Sequence, residues 1–436
     1  IQSAEQNART SSDATRKQEE LALVATRFRK FQDDFPGSQY ADKAAYSAVL
    51  IYNQADELDN AIAMGELMRK TYPKSSLTQK NDWLLAQFYE RIADFETSAK
   101  LYDRYFERYP KDKRAVDALY NAGIYYQGFG ETKAAIARFE TYTKKYAKRR
   151  DVADVYWRIC ELQASDGAFR KAADCFEKFR TKYRSAPRAK LYESRYRRAL
   201  LLEKMKKRDA AMAEYRWLVR AYGQLTSSDK NKEASMLAAA HAAFELLEPE
   251  FSKYKKIRVT LNKKTLLRKL KTAEALACVS SDDNKCSAEG KYVGIISYGN
   301  GDYGICALTR MGEVYRDVAN SIRAAPVPRR LTEDQQEIYT AELDNLALGP
   351  EDKGRQAFEA ALSKAYELNI YNNCTLTAQQ NLKALNPNQF PDLQKRRYLG
   401  AEGFITSGYR ADVPGLPDAP ISVEPKPAIS SAGTSE

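Results

Sequence analysis

Residues 118–146 read ALYNAGIYYQGFGETKAAIARFETYTKKY. Apolar and small residues recur at steps of three and four on either side of Gly128 and Gly130, the spacing of one face of a helix. The stretch predicts two helices joined by a short turn. Ala122 and Gly123 on the first and Ala135 on the second are small where the helices must touch. Tyr126, Phe139 and Tyr142 fill the space beside them. The unit is a helical hairpin with a small-against-large seam.

Outward from this stretch the unit repeats. Phe35, Tyr72, Tyr109, Tyr146 and Tyr183 stand 37 residues apart, and Pro36, Pro73 and Pro110 follow the first three. Ala61, Ser98, Ala135 and Ala172 keep that period, as do Gly65, Tyr102, Phe139 and Phe176, and Tyr46, Trp83, Tyr120 and Trp157. One more unit, two residues longer, carries Tyr196, Ala211, Tyr215 and Tyr222. A fixed period of about 20–50 residues means stacked repeats. Units fall at 41–73, 78–110, 115–147, 152–184 and 189–223. Before them, Val24, Phe28 and Phe31 match only a second helix, a half-repeat that caps the stack. Gly65 takes an aromatic position in the first unit, which predicts thinner packing there.

The order Tyr-Asn-Ala-Gly-x-Tyr-Tyr (120–126), then Ala135, then Phe139, resembles the tetratricopeptide repeat, as do the Tyr-Pro pairs that close neighbouring units. That repeat is usually about 34 residues long. The extra residues here fall after the proline, in KSSLTQ (74–79) and KDKRAV (111–116). This longer spacer is similar to the bacterial envelope branch of the family, which includes the outer-membrane assembly lipoprotein and the Tol-Pal coordinator. The resemblance implies an all-α, right-handed superhelical solenoid over 19–224. It also implies a non-enzymatic scaffold that binds a protein segment in a concave groove. The setting it implies is a periplasmic or outer-membrane-associated complex of motility, secretion or envelope assembly. By the same resemblance Tyr46, Trp83, Tyr120, Trp157 and Tyr196 face the groove, with Lys80, Gln87, Asp117, Ile124 and Glu161 beside them. The alternative is that these rings pack between helices, which a one-position shift of register produces.

Residues 1–18 hold no aromatic and few apolar side chains, and flexibility is expected there. A second helical domain is expected over 225–386. Pro249 should bend or break its first helix, a helix is expected at 262–278, and SYGNGDYG (297–304) reads as a turn. Leu308, Met311, Gly312 and Tyr315 regain the first-helix spacing. Thr332 before Glu-Asp-Gln reads as a cap, and helices are expected at 354–369 and 376–386. PVPRRLT and the later ALSKAYELNIYNN pattern resemble deltaproteobacterial gliding-motility components. Pro, Gly and Ser enrich 387–436, which reads as a disordered tail.

The chain has 436 residues, 44% of them hydrophobic, and a net charge of +12. It holds no run of about 18 apolar residues that could span a bilayer. It opens on Ile rather than Met, so any leader or lipid-bearing Cys is expected upstream. The positive charge favours acidic partners or anionic surfaces. It concentrates in 253–271, where Lys255, Lys256, Arg258, Lys263, Lys264, Arg268 and Lys269 accompany an apolar set of leucines. Such a run grips an acidic partner or a lipid surface, or simply forms a solvated helix face. No nucleic-acid module accompanies it, and no nucleic acid is expected.

His241 is the only histidine and sits among alanines, a packing position; Ser-His and Cys-His chemistry is thereby unsupported elsewhere. There is no phosphate-loop motif and no zinc or calcium ligand spacing, so neither cofactor nor metal is expected. Cys278 and Cys286 flank a short loop that would let them bridge. Cys160 and Cys175 lie on the two helices of one hairpin, which leaves Cys306 and Cys374 as a further pair. Competing readings are a cytoplasmic adaptor for an acidic partner, a cell-wall-binding or processing protein using Glu161 or Asp117, and a subunit that stacks end to end.

Overall fold

A computed structural model describes residues 14–278 and 290–391. Its residues through Phe390 form one compact unit, to which this description is confined. Among the described residues there are only helices and their connections, with no strand.

Helix α1 (Ala14–Asp34) stands alone at the start. Helix pairs follow: α2 (Ala41–Gln54) with α3 (Leu58–Thr71), α4 (Thr78–Arg91) with α5 (Phe95–Arg108), and α6 (Ala115–Gly128) with α7 (Thr132–Lys145). Next come α8 (Val152–Ser165) with α9 (Phe169–Lys182) and α10 (Arg188–Lys204) with α11 (Arg208–Tyr222). Each helix packs on its predecessor and its successor, so the pairs stack as a helical-repeat solenoid. Five helix pairs lie between Ala41 and Tyr222. The half-repeat helix starts at Ala14, inside the stretch expected to be flexible.

The hairpin turns repeat as closely as the helices. Asp56, Ala93, Gly130, Gly167 and Lys206 occupy equivalent places and all have positive φ, from 59° to 91°. Left-handed backbone reverses the chain within three residues. Glycine adopts it freely at 130 and 167, whereas the other three positions bear the Cβ penalty.

Inside each hairpin the seam closes as expected. A Cβ on Gly123 would come 2.6 Å from the Phe139 ring, so only glycine admits that ring. Gly65 works differently from the expectation of thin packing. It is buried, Leu85 closes to 2.8 Å of where its Cβ would stand, and Asn81 donates a 2.8 Å hydrogen bond to its carbonyl. The missing ring is replaced by side chains of the next unit.

The composition step at 224 is not a break in packing. After a single turn, α12 (Ser227–Lys230), the long α13 (Glu233–Lys255) lies on α11. Pro249 sits inside α13, which continues past it. Helices α14 (Lys263–Ala277) and α15 (Lys291–Ile296) lead to α16 (Gly301–Arg323), α17 (Glu333–Leu368) and α18 (Asn373–Leu385). The glycine-rich turn is only half a turn: Gly299 has φ +77°, but Asn300 caps α16, and Gly301 and Gly304 lie inside it. Thr332 does cap α17, in a reciprocal box with Gln335.

α16 and α17 form a further hairpin of the same kind. Gly312 lies beneath Phe358, again with 2.6 Å from a would-be Cβ to the ring. Gly354 is buried four residues before Phe358, as Ala135 is before Phe139. Sequence reading found the first helix of this pair and shortened the second, because residues 333–349 extend α17 ahead of the seam. Most of that extension is exposed, with Ile338 at 65% and Leu346 at 63%. Two cystines fasten the array, Cys160–Cys175 across α8 and α9 and Cys306–Cys374 across α16 and α18. Cys286, and with it the expected Cys278–Cys286 bridge, and most of the 387–436 tail lie outside the described residues.

Candidate protein-interaction surface

The five periodic rings of the first helices turn toward their neighbours. Trp83 stands edge-on to Tyr102 and Tyr105 of its own hairpin, each at 5.3 Å between ring centroids. Trp157 does the same with Phe176 at 5.0 Å and Phe179 at 5.2 Å. Tyr120 meets Phe139 and Tyr142. Tyr196 lies edge-on to His241 of α13, with its hydroxyl 2.9 Å from Nδ1. Tyr46 packs against the first core cluster, and burial raises its pKa while Arg114 opposes the rise. Trp157 and Tyr196 are buried, and the other three are half-covered. The expectation of an open aromatic ladder is corrected for Trp157 and Tyr196. The small-against-large seam draws the largest ring of each first helix inward, where edge-to-face contact adds to area burial.

The residue after each ring is also accessible: Ser47, Leu84 and Asn121 are half-exposed like the rings before them, and Arg158 and Arg197 are more open than buried Trp157 and Tyr196. Lys80, Gln87, Asp117, Ile124 and Glu161 lie three or four residues from that second series, and all are at least part-exposed. They share its helix face. They also stand three or four residues from Trp83, Tyr120 and Trp157, so they flank the rings and the shifted series alike. The missed residues were legible as the same 37-residue series shifted by one position. Polar bridges tie the stripe across units: Arg91 donates to Asn53 at 2.6 Å and to Asp56 at 3.0 Å, and Arg158 donates to Gln127 at 3.1 Å. Half-covered Leu50, Leu84, Ile124 and Leu200 lie among them. The surface offers apolar contact between hydrogen-bonding groups.

The 253–271 run is not one patch. Lys255, Lys256, Arg258, Lys264 and Arg268 are exposed, and the Lys263 side chain lies outside the description. Lys269 is a correction. It is 4% exposed, pairs with Asp317 at 2.8 Å, donates to the Ile257 carbonyl at 3.0 Å and stands over the Tyr254 ring. It joins α14 to α16 and is unavailable to a surface partner. His241 is buried between Tyr196, Tyr215 and Tyr303 and holds α13 to its neighbours.

Among the described residues no group of three or more His, Cys, Asp or Glu side chains is placed to hold a metal. No described helix is long and apolar enough to cross a membrane.

A tetratricopeptide repeat family model matches residues 117–148, the third unit. No curated relative matches the chain by sequence. Among solved structures, a tetratricopeptide repeat protein from Parabacteroides merdae is 13% identical over 70% of this chain and 98% of its own, with a TM-score of 0.32. MamA is 20% identical over 38% and 88%, with a TM-score of 0.27. PilW, a type IV pilus biogenesis factor, is 14% identical over 50% and 98%, also at 0.27. None of these structural likenesses is close enough to bear on function.

Proposed function

We propose that this chain, a tetratricopeptide-type helical-repeat array, is a non-enzymatic protein-interaction scaffold. It takes a polypeptide segment along the outward stripe of its first helices. The observation that carries this reading is the stripe itself: Leu50, Ile124 and Leu200 part-exposed at equivalent repeat positions, with Leu84 three residues before its own unit's equivalent, Gln87, and Asn121, Arg158 and Arg197 alongside. A repeat array that leaves this face part-exposed has room for a partner.

The setting we propose is a periplasmic or outer-membrane-associated complex concerned with motility, secretion or envelope assembly. Two cystines support an oxidising compartment, since such bonds persist there and are rare in cytosol. The rival cytoplasmic adaptor requires those four cysteines to be thiols in the cell. Alkylation of whole cells before lysis separates the two: blocked thiols at 160, 175, 306 and 374 would end the envelope reading.

The stripe is tested by placing a photo-cross-linking side chain at Leu84 or Ile124, and at Lys100 or Ala137 on exposed faces of second helices. The expected result in the native host is one discrete adduct from the first pair only. Equal adducts from both pairs, or none from the first, would refute the stripe.

A further inference from the structure

Antiparallel pairing puts the turns within hairpins on one edge of the array and the loops between hairpins on the other. The two edges differ in charge. Turns within the first four hairpins carry Asp56, Glu57, Asp94, Glu131 and Asp166. Loops between hairpins carry Lys74, then Lys111, Lys113 and Arg114 around Asp112, then Lys148, Arg149 and Arg150 before Asp151, then Arg184, a net positive charge in each.

Helix dipoles account for part of this. Cations in the last turns of second helices, such as Lys70, Arg108, Lys145 and Lys182, complement a helix C-terminus. Cations just before a helix do the opposite, since the N-terminus already carries partial positive charge. Arg114 is the residue preceding α6, Lys148–Arg150 lead into α8, and Arg188 opens α10. These side chains oppose the local helix field and repel one another.

The loop edge also forms a recurring recess. Near the start it is lined by Ser38, Gln39, Asp42, Thr71, Lys74 and Ser75. Three periods later the equivalent recess, about 600 Å³, is lined by Arg149, Arg150, Asp154, Lys182, Ser185 and Lys190. The backbone site is the same, but Ser38, Gln39 and Thr71 have become Arg149, Arg150 and Lys182. Lys182 stands over the Tyr156 and Tyr183 rings at 4.9 and 5.2 Å, and Lys190 stands over Trp157 while pairing with Asp154. Arg149 bonds Asp151 at 3.1 Å. No carboxylate lies at ion-pair distance from Arg150 or Lys182 among the described residues.

We propose that this recess binds an acidic, extended stretch of a partner polypeptide, with Asp or Glu side chains entering between Arg149, Arg150 and Lys182. The cations line a recess rather than a flat tip, which suits carboxylates on a chain better than a sheet of headgroups. No large exposed hydrophobic side chain occurs between Ile92 and Leu261 among the described residues, so nothing there anchors into a bilayer. The same gap leaves no exposed ring on which nucleobases would stack. The recess lies on the loop edge and does not depend on the stripe of the first helices binding anything.

The test uses the full chain and a fluorescently labelled Glu-rich decapeptide, read by anisotropy at low and physiological salt. A Gln decapeptide, an oligodeoxythymidine and anionic phosphatidylglycerol vesicles run beside it. The expected result is binding of the acidic peptide that weakens about tenfold or more in Arg149→Glu/Arg150→Glu/Lys182→Glu, as reversal of close charge pairs predicts. Lys255→Glu/Lys256→Glu/Lys264→Glu, which removes the same net charge elsewhere, should change it less than about twofold. Far-UV circular dichroism checks folding, and Arg149→Gln/Arg150→Gln/Lys182→Gln should also weaken binding, by less than the charge-reversed variant. Equal loss in both charge-reversed variants, no binding of the acidic peptide, or tighter binding to vesicles or oligonucleotide would overturn the proposal.

Discussion

Gly123→Ala adds one methyl group to α6 and tests the small-against-large seam of the third hairpin. The new Cβ would lie 2.6, 2.8 and 2.9 Å from three carbons of the Phe139 ring, inside the distance that real Cβ contacts keep. Phe139 is fully buried and boxed in by Tyr120, so the ring has no open space to enter. Overpacking of this kind costs about 1–3 kcal/mol. Replacing a mid-helix glycine by alanine returns up to about 1 kcal/mol. The net expectation is a loss of about 1 kcal/mol, with the steric effect winning. Gly128→Ala, near the end of the same helix, meets nothing within 4 Å and should be neutral or stabilising. Urea unfolding followed by circular dichroism measures both. Phe139→Leu removes the obstructing ring edge, so the double variant should be more stable than the two single losses predict, by about 0.5 kcal/mol or more. If Gly123→Ala matches Gly128→Ala, or the coupling is zero, the seam is not what sets the spacing of the helices.

Opening the cystines should cost stability in proportion to loop length. The chain-entropy model gives about 3 kcal/mol for a 15-residue loop such as that of Cys160–Cys175 and about 4 kcal/mol for the 68-residue separation of Cys306–Cys374. Paired Cys→Ala variants in urea would check the order. At the hairpin turn, Ala93→Gly should stabilise by up to about 1 kcal/mol and Gly130→Ala should destabilise by about as much, because both positions have left-handed backbone. Burial holds the Asp82 carboxyl above its usual range, against a hydrogen bond from Tyr109 and the nearby Arg108. A raised carboxyl pKa favours the fold in acid and loses that contribution as pH climbs through the folded value. Asp82→Asn should therefore gain on the wild type between about pH 3 and about pH 7, read as the shift in urea midpoint. Tyr196→Phe removes the hydroxyl that meets His241 and should cost about 1–2 kcal/mol in the same assay.

The array was legible because stacking makes the same demand at every unit. A small residue opposite a ring is needed wherever two helices touch, and Ala135, Ala172 and Phe139 announce it at fixed intervals. Direction was harder to read. Tyr46 and its counterparts mark a position on the helix, but whether that position faces a partner or the second helix turns on about one residue's rotation, 100°. Trp157 went inward because Phe176 and Phe179 wait there. Lys269 was misjudged for a related reason. Its companions are solvated, and nothing local marks it out; Asp317, which draws it inward, lies 48 residues away. Gly65 shows the reverse case, where a local gap is filled by Leu85 of the following unit.

The last hairpin separates two things that short turns keep together. α16 and α17 meet through Gly312 and Phe358 although residues 324–349 intervene between the helices' contact faces. Closure of that hairpin thus depends only weakly on the length of the connection proper, residues 324–332, since loop entropy grows slowly with length. The connection is a natural place for the molecule to gain or lose a module, and the site where a tag or a second domain can be grafted with least disturbance.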